Sequence, residues 1–258
     1  MHKIVLTGVL AVVLAACAVS PMGRQQFTLL SEQQLDSMGA QSFQELKQTE
    51  RVDTNPSINR YVQCVANAIT AELGGSRPWE VVVFRNSAAS AFALPGGKIG
   101  VYTGLLKVAV NQHQLAAVIG HEVGHVVANH ANERVSQEFA VQGGLGILGA
   151  TAGANMGPGT QQALGLGAQV GILLPFSRVQ ESEADIIGLD LMARAGFDPR
   201  QSLALWQNMD RAGGSQPPQF LSTHPSHGTR VSNLQNYMGQ AMQVYEAARR
   251  RGRHPHCQ

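Results

Sequence analysis

The sequence carries little charge. Asp, Glu, Lys and Arg make up only 14% of its 258 residues, and the formal net charge is +2. Proteins that bind nucleic acid use a basic surface to neutralise phosphates, so this composition gives no indication of such a surface and we expect no nucleic-acid partner. The one basic run, residues 249–253, is close to the C-terminal end, and we expect residues 251–258 to form a solvated basic tail.

Cysteine is scarce, with three residues in the whole chain. The first, Cys17, follows an apolar stretch at residues 4–14 that is preceded by Lys3 and is too short to span a bilayer. This pattern is typical of a signal peptide. The small residues directly before Cys17 resemble a bacterial lipobox. The next residue is Ala18 and not Asp, which resembles the sorting signal of outer-membrane rather than inner-membrane lipoproteins.

The lipobox resemblance implies cleavage before Cys17 and attachment of lipid to its thiol. We therefore predict a lipoprotein signal peptide at residues 1–16, a lipidated tether at residues 17–30, and a location on the periplasmic side of the outer membrane. An ordinary signal peptide with a chance cysteine is the alternative.

The other two cysteines, Cys64 and Cys257, form an even remainder. An oxidising compartment favours the pairing of such a remainder, so we predict an intramolecular disulfide between them. Two free thiols are the alternative.

Charge is absent altogether from one long stretch. No charged residue occurs between Glu138 and Arg178, and ten of the 28 glycines lie there. Three interpretations of residues 139–177 stay open: a buried helical hairpin, a lid over a site, and a contact with a membrane.

Helical patterns dominate the rest of the chain. Capping signals and apolar residues at helical spacing predict helices that begin near residues 31, 55, 111, 177 and 198, and a final helix at residues 227–250. A β-branched run at residues 79–84 predicts a strand, and residues 91–99 predict two short strands about a Pro-Gly-Gly turn. The expected fold class is α+β, mainly α with a small β-sheet.

The strongest motif in the chain is His121-Glu122-Val123-Gly124-His125. Positions four apart lie on one helix face, so the two imidazoles can bind one zinc ion. Glu122 can reach a metal-bound water as a general base. The surrounding helix is apolar, and burying these polar side chains is costly unless something satisfies them. We predict one zinc ion per chain; a pair of core or surface histidines is the alternative.

A catalytic zinc ion needs a third protein ligand and an open position for water. A third histidine six residues after His125 is absent, because position 131 is Ala. His130 is expected to face away from His125 by roughly 140° on a continuous helix. Glu133 and Glu138 would have to fold back from the same helix or from just beyond it.

The next carboxylates lie in the segment Glu181-Ser182-Glu183-Ala184-Asp185. Glu181 and Asp185 share a helix face because they are four residues apart. That face can supply a metal ligand, Glu181, and an acceptor, Asp185, for the N–H group of a ligand histidine. Glu183 points elsewhere on the helix and stays the alternative ligand.

Together these motifs resemble the zinc metalloprotease family of the CAAX prenyl endopeptidases and HtpX, and within it the soluble periplasmic BepA/LoiP-like branch. The resemblance covers roughly residues 31–245. It is based on four features: His121-Glu122-x-x-His125, Glu181-x-x-x-Asp185, the segment Ala91-Phe92-Ala93-Leu94-Pro95-Gly96-Gly97, and His224-Pro225 with Arg230. It implies a zincin-type metalloprotease domain built around the HExxH helix, which we place at residues 31–250.

The resemblance also implies roles for individual residues. It implies three ligands for the zinc ion: His121, His125 and Glu181. It implies that Glu122 is the base, that His224 and Arg230 lie near the developing oxyanion, and that the strand at residues 91–92 edges the substrate cleft. In some relatives the histidine that matches His224 approaches the metal as a switch. His224 could therefore either block the free coordination position of the zinc ion or stabilise the oxyanion of the reaction. We favour stabilisation of the oxyanion. A structural loop histidine and a surface ion-pair arginine are the alternatives.

We therefore predict a zinc-dependent endopeptidase of the bacterial cell envelope that hydrolyses unfolded or misassembled envelope proteins. The alternative is a chaperone-like assembly factor on the same fold with little cleavage. The large membrane-spanning segments of the CAAX and HtpX branches do not occur in the sequence, so processing of prenylated proteins is not supported.

Overall fold

Helices make up most of the described structure. The computed structural model describes residues 17–75, 78–151, 176–213, 219–224 and 228–257. Within these ranges the chain combines many α-helices with two small β-sheets, which confirms the predicted α+β class. The predicted signal peptide, residues 1–16, lies outside the described residues.

The elements follow one another along the chain in a fixed order. They are β1 Cys17–Val19, β2 Gln25–Phe27, α1 Glu32–Thr49, α2 Pro56–Thr70, β3 Glu80–Phe84, β4 Ala91–Leu94, β5 Lys98–Tyr102, α3 Gln112–Val127, α4 His130–Thr151, α5 Arg178–Arg194, α6 Gln201–Gly213, α7 Gln219–Thr223 and α8 Gly228–Arg250. Short 3-10 helices at Ala71–Leu73 and Thr103–Lys107 follow α2 and β5.

Four helix starts predicted from capping signals are confirmed. In each, the side chain before the helix accepts hydrogen bonds from backbone N–H groups of the first turn: Ser31 for α1, Asn55 for α2, Asn111 for α3 and Ser177 for α5. These caps satisfy donors that a helix start otherwise leaves unpaired. They therefore fix where α3 and α5, the two helices with the metal-site motifs, begin.

The larger sheet has three strands in the order β3-β5-β4. β3 is parallel to β5, and β4 is antiparallel to β5 across the predicted Pro-Gly-Gly turn. Gly96 and Gly97 in that turn have φ values of 77° and 71°, which favour glycine. Within the described strands β4 is paired on one side only, and it packs against α3.

Helices α3 and α5 pack against each other through glycines. A Cβ atom at Gly124 would lie 2.8 Å from the carbonyl oxygen of Ala184, and one at Gly188 would lie 2.6 Å from the backbone nitrogen of His121. A larger residue at either position would push the two backbones apart. The glycines thereby bring the acidic face of α5 against the histidine face of α3.

The segment at residues 17–30, which we expected to be a tether, is ordered instead. β1 and β2 form an antiparallel hairpin. Arg24 in this hairpin forms ion pairs of 2.6 Å with Glu133 of α4 and 2.8 Å with Glu183 of α5. The expectation was wrong because the order comes from contacts with distant residues, which leave little local pattern in the sequence.

The C-terminal segment is fixed at its end, whereas most of its described residues (251–254 and 256) are exposed, as expected for a solvated tail. Cys257 is bonded to Cys64 of α2, with Cα atoms 5.6 Å apart, which confirms the predicted disulfide. Gln112 of α3 donates from Nε2 to the carbonyl oxygen of Pro255 at 3.0 Å and accepts the Cys257 N–H at 2.8 Å. The disulfide and these hydrogen bonds, rather than the charge of the run, decide where the segment lies.

Most of the uncharged stretch at residues 139–177 lies outside the described residues. α4 continues to Thr151, and the next described residue is Phe176. The three interpretations of this stretch therefore stay open. Among the helices of the described ranges, none is both long enough and apolar enough to cross a membrane.

Candidate metal centre

Helix α3 brings His121 and His125 to one buried face. Their Nε2 atoms are 3.1 Å apart, and both residues are almost fully buried. Glu181 of α5 completes a triangle: its Oε2 lies 3.5 Å from His121 Nε2 and its Oε1 lies 3.4 Å from His125 Nε2. Ligand atoms around one tetrahedral zinc ion lie about 3.3 Å from one another. The three side chains are therefore spaced as ligands of a single ion.

His224 joins the same group from the chain after α7. Its Nδ1 lies 3.0 Å from Glu181 Oε1 and 3.2 Å from His121 Nε2. One ligand atom from each of the four residues lies within 4.8 Å of all the others. The His224 ring is stacked on Phe220, with centroids 4.4 Å apart, and is flanked by Phe176 at 5.0 Å. In this conformation His224 occupies the place of a fourth ligand.

Asp185 orients the ring of His121. Its Oδ1 lies 2.9 Å from His121 Nδ1, and Arg230 donates to both Asp185 oxygens at 2.7 Å. Burial raises the pKa of Asp185, but Arg230 and His121 outweigh it and hold that pKa below its usual value. An ionised carboxylate only accepts hydrogen bonds, so His121 Nδ1 is protonated and its Nε2 is left to face the ligand group.

Arg230 is itself fully buried. Its guanidinium carbon lies 4.2 Å from the centre of the Trp206 ring, and its Nη1 lies 2.6 Å from Glu181 Oε2. The structure therefore places Arg230 on the carboxylates of Asp185 and Glu181, where it compensates their negative charge.

His130, which we expected to face away from His125, contacts it. α3 ends before Asn129, which takes a left-handed conformation with φ 55°, and α4 begins at His130 in a new direction. His130 Nδ1 then lies 2.9 Å from His125 Nδ1, and its Nε2 lies 3.1 Å from Glu183 Oε2. The expectation was wrong because it assumed one continuous helix. Asparagine, which tolerates this conformation, is the sequence signal that marks the break.

Glu122 lies beside the ligand group and is also buried. Its Oε1 is 3.5 Å from His224 Nε2 and has no hydrogen-bond partner among the described residues. Burial raises the pKa of Glu122 above its usual value, although His224, His121 and a hydrogen bond from the Ala93 backbone of β4 oppose the shift. A raised pKa makes a buried carboxylate a stronger base, which suits the role of a proton acceptor.

The ligand group has the electrostatics of a cation site. Burial lowers the pKa of His125 well below its usual value, so this ring is neutral. Burial also lowers the pKa of His121, but Asp185 and Glu181 raise it to about 9, so the site attracts positive charge. A divalent cation between the Nε2 atoms would meet that demand and satisfy the converging lone pairs. Imidazole nitrogens with one carboxylate are a donor set that suits zinc.

The structure brings all the predicted site residues into one buried cluster: His121, Glu122, His125, Glu181, Asp185, His224 and Arg230. It adds His130, which the sequence analysis expected to face away from His125, and Phe176, which the sequence analysis did not consider. The Phe176 ring stacks on His125 with centroids 3.7 Å apart. An aromatic residue just before a helix carries no sequence signal for such a contact. Glu183, the alternative ligand, bonds to His130 and lies outside the four-residue ligand group.

A cavity of about 470 Å³ opens beside His125. Its walls include Trp79, Pro95 at the end of β4, and the acidic residues Glu32 and Asp36 of α1. An extended peptide can add to the edge of a sheet through its backbone. Pro95 follows β4 directly, so the cavity lies next to the end of this strand.

Comparison with known proteins gives a family match over most of the chain. Residues 53–238 match the family described as Peptidase family M48. The chain is 39% identical to the mitochondrial metalloendopeptidase OMA1 of Schizosaccharomyces pombe over 184 residues, which are 70% of this chain and 53% of that protein. It is 33% identical to the mitochondrial metalloendopeptidase OMA1 of Bos taurus over 242 residues, 87% of this chain and 45% of that protein.

A bacterial protein is also similar. The beta-barrel assembly-enhancing protease of Yersinia pestis is 29% identical over 229 residues, 85% of this chain and 47% of that protein. The chain therefore spans about half the length of the relatives it matches.

Proposed function

The chain belongs to peptidase family M48, a family of zinc-dependent metalloproteases, and we propose that it is a zinc endopeptidase. In this proposal His121, His125 and Glu181 hold one zinc ion and Glu122 is the general base. The observation that carries it is the spacing of the three ligand atoms, 3.1 to 3.5 Å apart, beside a buried carboxylate oxygen with no hydrogen-bond partner among the described residues.

The chemistry divides between the metal and the chain. Bound zinc would supply a Lewis acid that polarises a peptide carbonyl and makes water more acidic. Glu122 accepts the proton of the attacking water at Oε1 and passes it to the leaving amine. Asp185 and Arg230 hold His121 in one orientation throughout. The edge of β4 that has no partner among the described strands aligns the substrate backbone, and the bond from Ala93 holds Glu122 next to that strand.

His224 regulates access in this proposal. Its Nδ1 lies within the ligand group, and two aromatic rings hold its imidazole there. A ligand in the fourth position competes with water and with the peptide carbonyl. The described conformation is therefore a latent one, and His224 must move before a substrate binds. This geometry favours the blocking role over the oxyanion role that we expected from the sequence.

We further propose that the protease acts in a bacterial cell envelope on unfolded or misassembled envelope proteins, as a periplasmic lipoprotein anchored through Cys17. The support comes from the lipobox-like residues before Cys17 and from a Cys64–Cys257 disulfide, which suits an oxidising compartment. Similarity to a beta-barrel assembly-enhancing protease agrees with this setting, while relatives named for mitochondria share the same catalytic family. We propose the BepA/LoiP-like branch on the same grounds.

An assay with an unfolded substrate tests the enzymatic proposal. Purified protein loaded with zinc is incubated with unfolded casein, alongside Glu122→Gln, which keeps the shape of the side chain but cannot act as a base. We expect cleavage by the wild type only, with equal zinc content in both proteins. Equal suppression of casein aggregation without cleavage in either protein would instead support the chaperone-like alternative.

A further inference from the structure

We propose that His130 and Glu183 form a positioning relay for the metal ligand His125, and that the N-terminal hairpin holds this relay in place through Ser20 and Arg24. The inference rests on the proposed role of His125 as a zinc ligand. It adds an outer layer of positioning residues, none of which touches the substrate.

The relay is a continuous chain of buried contacts. His125 Nδ1 lies 2.9 Å from His130 Nδ1, and His130 Nε2 lies 3.1 Å from Glu183 Oε2. All three residues are at most 6% exposed. Water therefore has little access to compete for these bonds.

The order of donors and acceptors follows from the carboxylate. Glu183 accepts, so His130 Nε2 donates and the Nδ1 of a neutral His130 keeps its lone pair. That lone pair accepts from His125 Nδ1–H, which leaves the lone pair of His125 at Nε2, the atom that faces His121 and Glu181. The relay thus selects the tautomer of His125 that can bind metal through Nε2.

The two ligand histidines are supported differently. His121 is bonded directly to the carboxylate of Asp185, whereas His125 reaches its carboxylate only through a second imidazole. Asn129 makes this possible, because the break there brings His130 back toward α3. The position of His125 therefore depends on the junction between α3 and α4 as well as on α3 itself.

The N-terminal hairpin secures that junction. Ser20 Oγ donates to Glu183 Oε1, and Arg24 Nε donates to Glu183 Oε2 at 2.9 Å. The other end of the Arg24 guanidinium donates to both oxygens of Glu133, at 2.6 and 2.7 Å, so Arg24 bridges α4 and α5. Gln26 Nε2 donates to the carbonyl oxygen of Ala128 at 2.7 Å, directly at the end of α3.

These contacts give the hairpin a role in supporting the metal site, in addition to linking the domain to the proposed lipid anchor. It begins at Cys17, the proposed lipid site, and three of its side chains hold the residues that orient His125. Loss of the hairpin contacts should therefore weaken metal binding, although none of these side chains lies in the ligand group.

Zinc affinity tests the relay. The full chain, purified in detergent, is titrated with zinc against a competing chelator, and its cobalt(II) form is examined by absorption spectroscopy. We expect His130→Ala and Glu183→Ala to raise the zinc Kd by about 10-fold or more, as loss of an outer partner of a ligand histidine commonly does. Both should change the cobalt spectrum. Glu183→Gln, whose amide oxygen can still accept from His130, should recover part of the affinity.

The link between the hairpin and the relay is tested with separate variants. Arg24→Ala should also raise the zinc Kd, and the Arg24→Ala/His130→Ala double variant should lose little more than His130→Ala alone, because both changes break one chain of contacts. Arg85→Ala is the matched control, since Arg85 pairs with the buried carboxylate of Asp53. It should leave the zinc Kd unchanged. Fully additive losses in the double variant would overturn the link to the hairpin.

The failure of the relay can be told apart from the failure of the proposed function. His125→Ala should abolish tight zinc binding; if it does not, His125 is not a ligand and the proposed function fails. If His125→Ala abolishes binding while His130→Ala and Glu183→Ala keep the wild-type Kd and cobalt spectrum, the relay is overturned. Thermal melting of the metal-free variants shows whether each one is folded, and Glu183→Gln provides a conservative change should an alanine variant not fold.

Discussion

His224 Nδ1 lies 3.0 Å from Glu181 Oε1, inside the group that we propose binds zinc. This distance makes the histidine a competitor for the open metal position. We expect His224→Ala to raise the rate of casein cleavage, by up to about tenfold if the closed form makes up about nine-tenths of the population. Zinc content should stay near one ion per chain, and Glu122→Gln added to the same variant should abolish the gain.

The opposite result for His224→Ala would restore the role expected from the sequence. Loss of one hydrogen-bond donor to an oxyanion commonly lowers kcat by about 10²–10³. A fall of that size, with zinc still bound, would mean that His224 assists the reaction after moving out of the described position. Unchanged kcat and KM would exclude both roles.

The choice between Glu181 and Glu183 as metal ligand is tested by zinc stoichiometry. Glu181 contacts both ligand histidines, whereas Glu183 bonds to His130. At saturating zinc, Glu181→Ala should lose most of the bound metal by elemental analysis, and Glu183→Ala should keep about one ion per chain with a weakened affinity. Similar zinc content in the two variants would contradict the assignment.

The sequence was sufficient for those parts of the site that depend on one helix at a time. The i, i+4 spacing placed His121 with His125 and Glu181 with Asp185, and the glycines that bring the two helices together stand in the same segments. His130 could not be placed in this way, because one residue in a left-handed conformation changes the direction of the helix that follows.

The N-terminal hairpin was predicted poorly for a related reason. The hairpin at Arg24 is held by carboxylates more than 100 positions away, whereas local composition indicated an irregular tether. Tertiary ion pairs and hydrogen bonds decide the fold of this segment, and no local pattern reports them. The C-terminal end was predicted better, because the even number of remaining cysteines predicted the disulfide that joins it to a residue 193 positions away.

Close packing of α3 on α5 provides a third prediction. A Cβ at Gly188 would lie 2.6 Å from the His121 backbone nitrogen, so Gly188→Ala should separate the helices. We expect a loss of about 1–3 kcal/mol in the free energy of unfolding, measured by urea denaturation of the metal-free protein, together with weaker zinc binding. Gly239→Ala in α8 is the control, since a Cβ there meets nothing within 4 Å. It should be neutral or stabilising by up to about 1 kcal/mol. Equal stability of the two variants would contradict close packing.

Acid should loosen the N-terminal hairpin. Burial raises the pKa of Glu133 and of Glu183, but hydrogen bonds from Arg24 and other donors outweigh burial and hold both values below the usual 4.5. A carboxyl group whose pKa is lower in the folded state stabilises the fold above its unfolded pKa and loses that contribution as the pH falls through the folded value. The free energy of unfolding should therefore decrease as the pH falls below about 4.5.

The contribution of Arg24 to this pH dependence can be isolated by mutation. Urea denaturation between about pH 6 and pH 3 should give a shallower decrease for Arg24→Ala than for the wild type, because the two carboxyl groups lose their main cationic partner. Arg60→Ala is the control, since Arg60 bonds to the hydroxyl of Ser57. Its slope should match that of the wild type. Identical slopes in all three proteins would show that the hairpin contacts do not contribute to the acid sensitivity.

The fifth prediction concerns the proposed lipid anchor at Cys17, which lies at the start of the described hairpin. Cys17 begins β1, so a lipid on its thiol would place the membrane next to the segment whose Ser20 and Arg24 contact Glu183. Cys17→Ser should abolish labelling by radioactive palmitate and prevent cleavage of the signal peptide by the lipoprotein route, since the thiol is the acceptor.

Single acyl chains bind membranes only weakly, whereas several chains hold a protein durably, so the wild type should stay in the membrane fraction after a high-salt wash. Unchanged labelling and fractionation of Cys17→Ser would show that Cys17 is not the acylated residue, and the hairpin would then have to position the metal site without an anchor beside it.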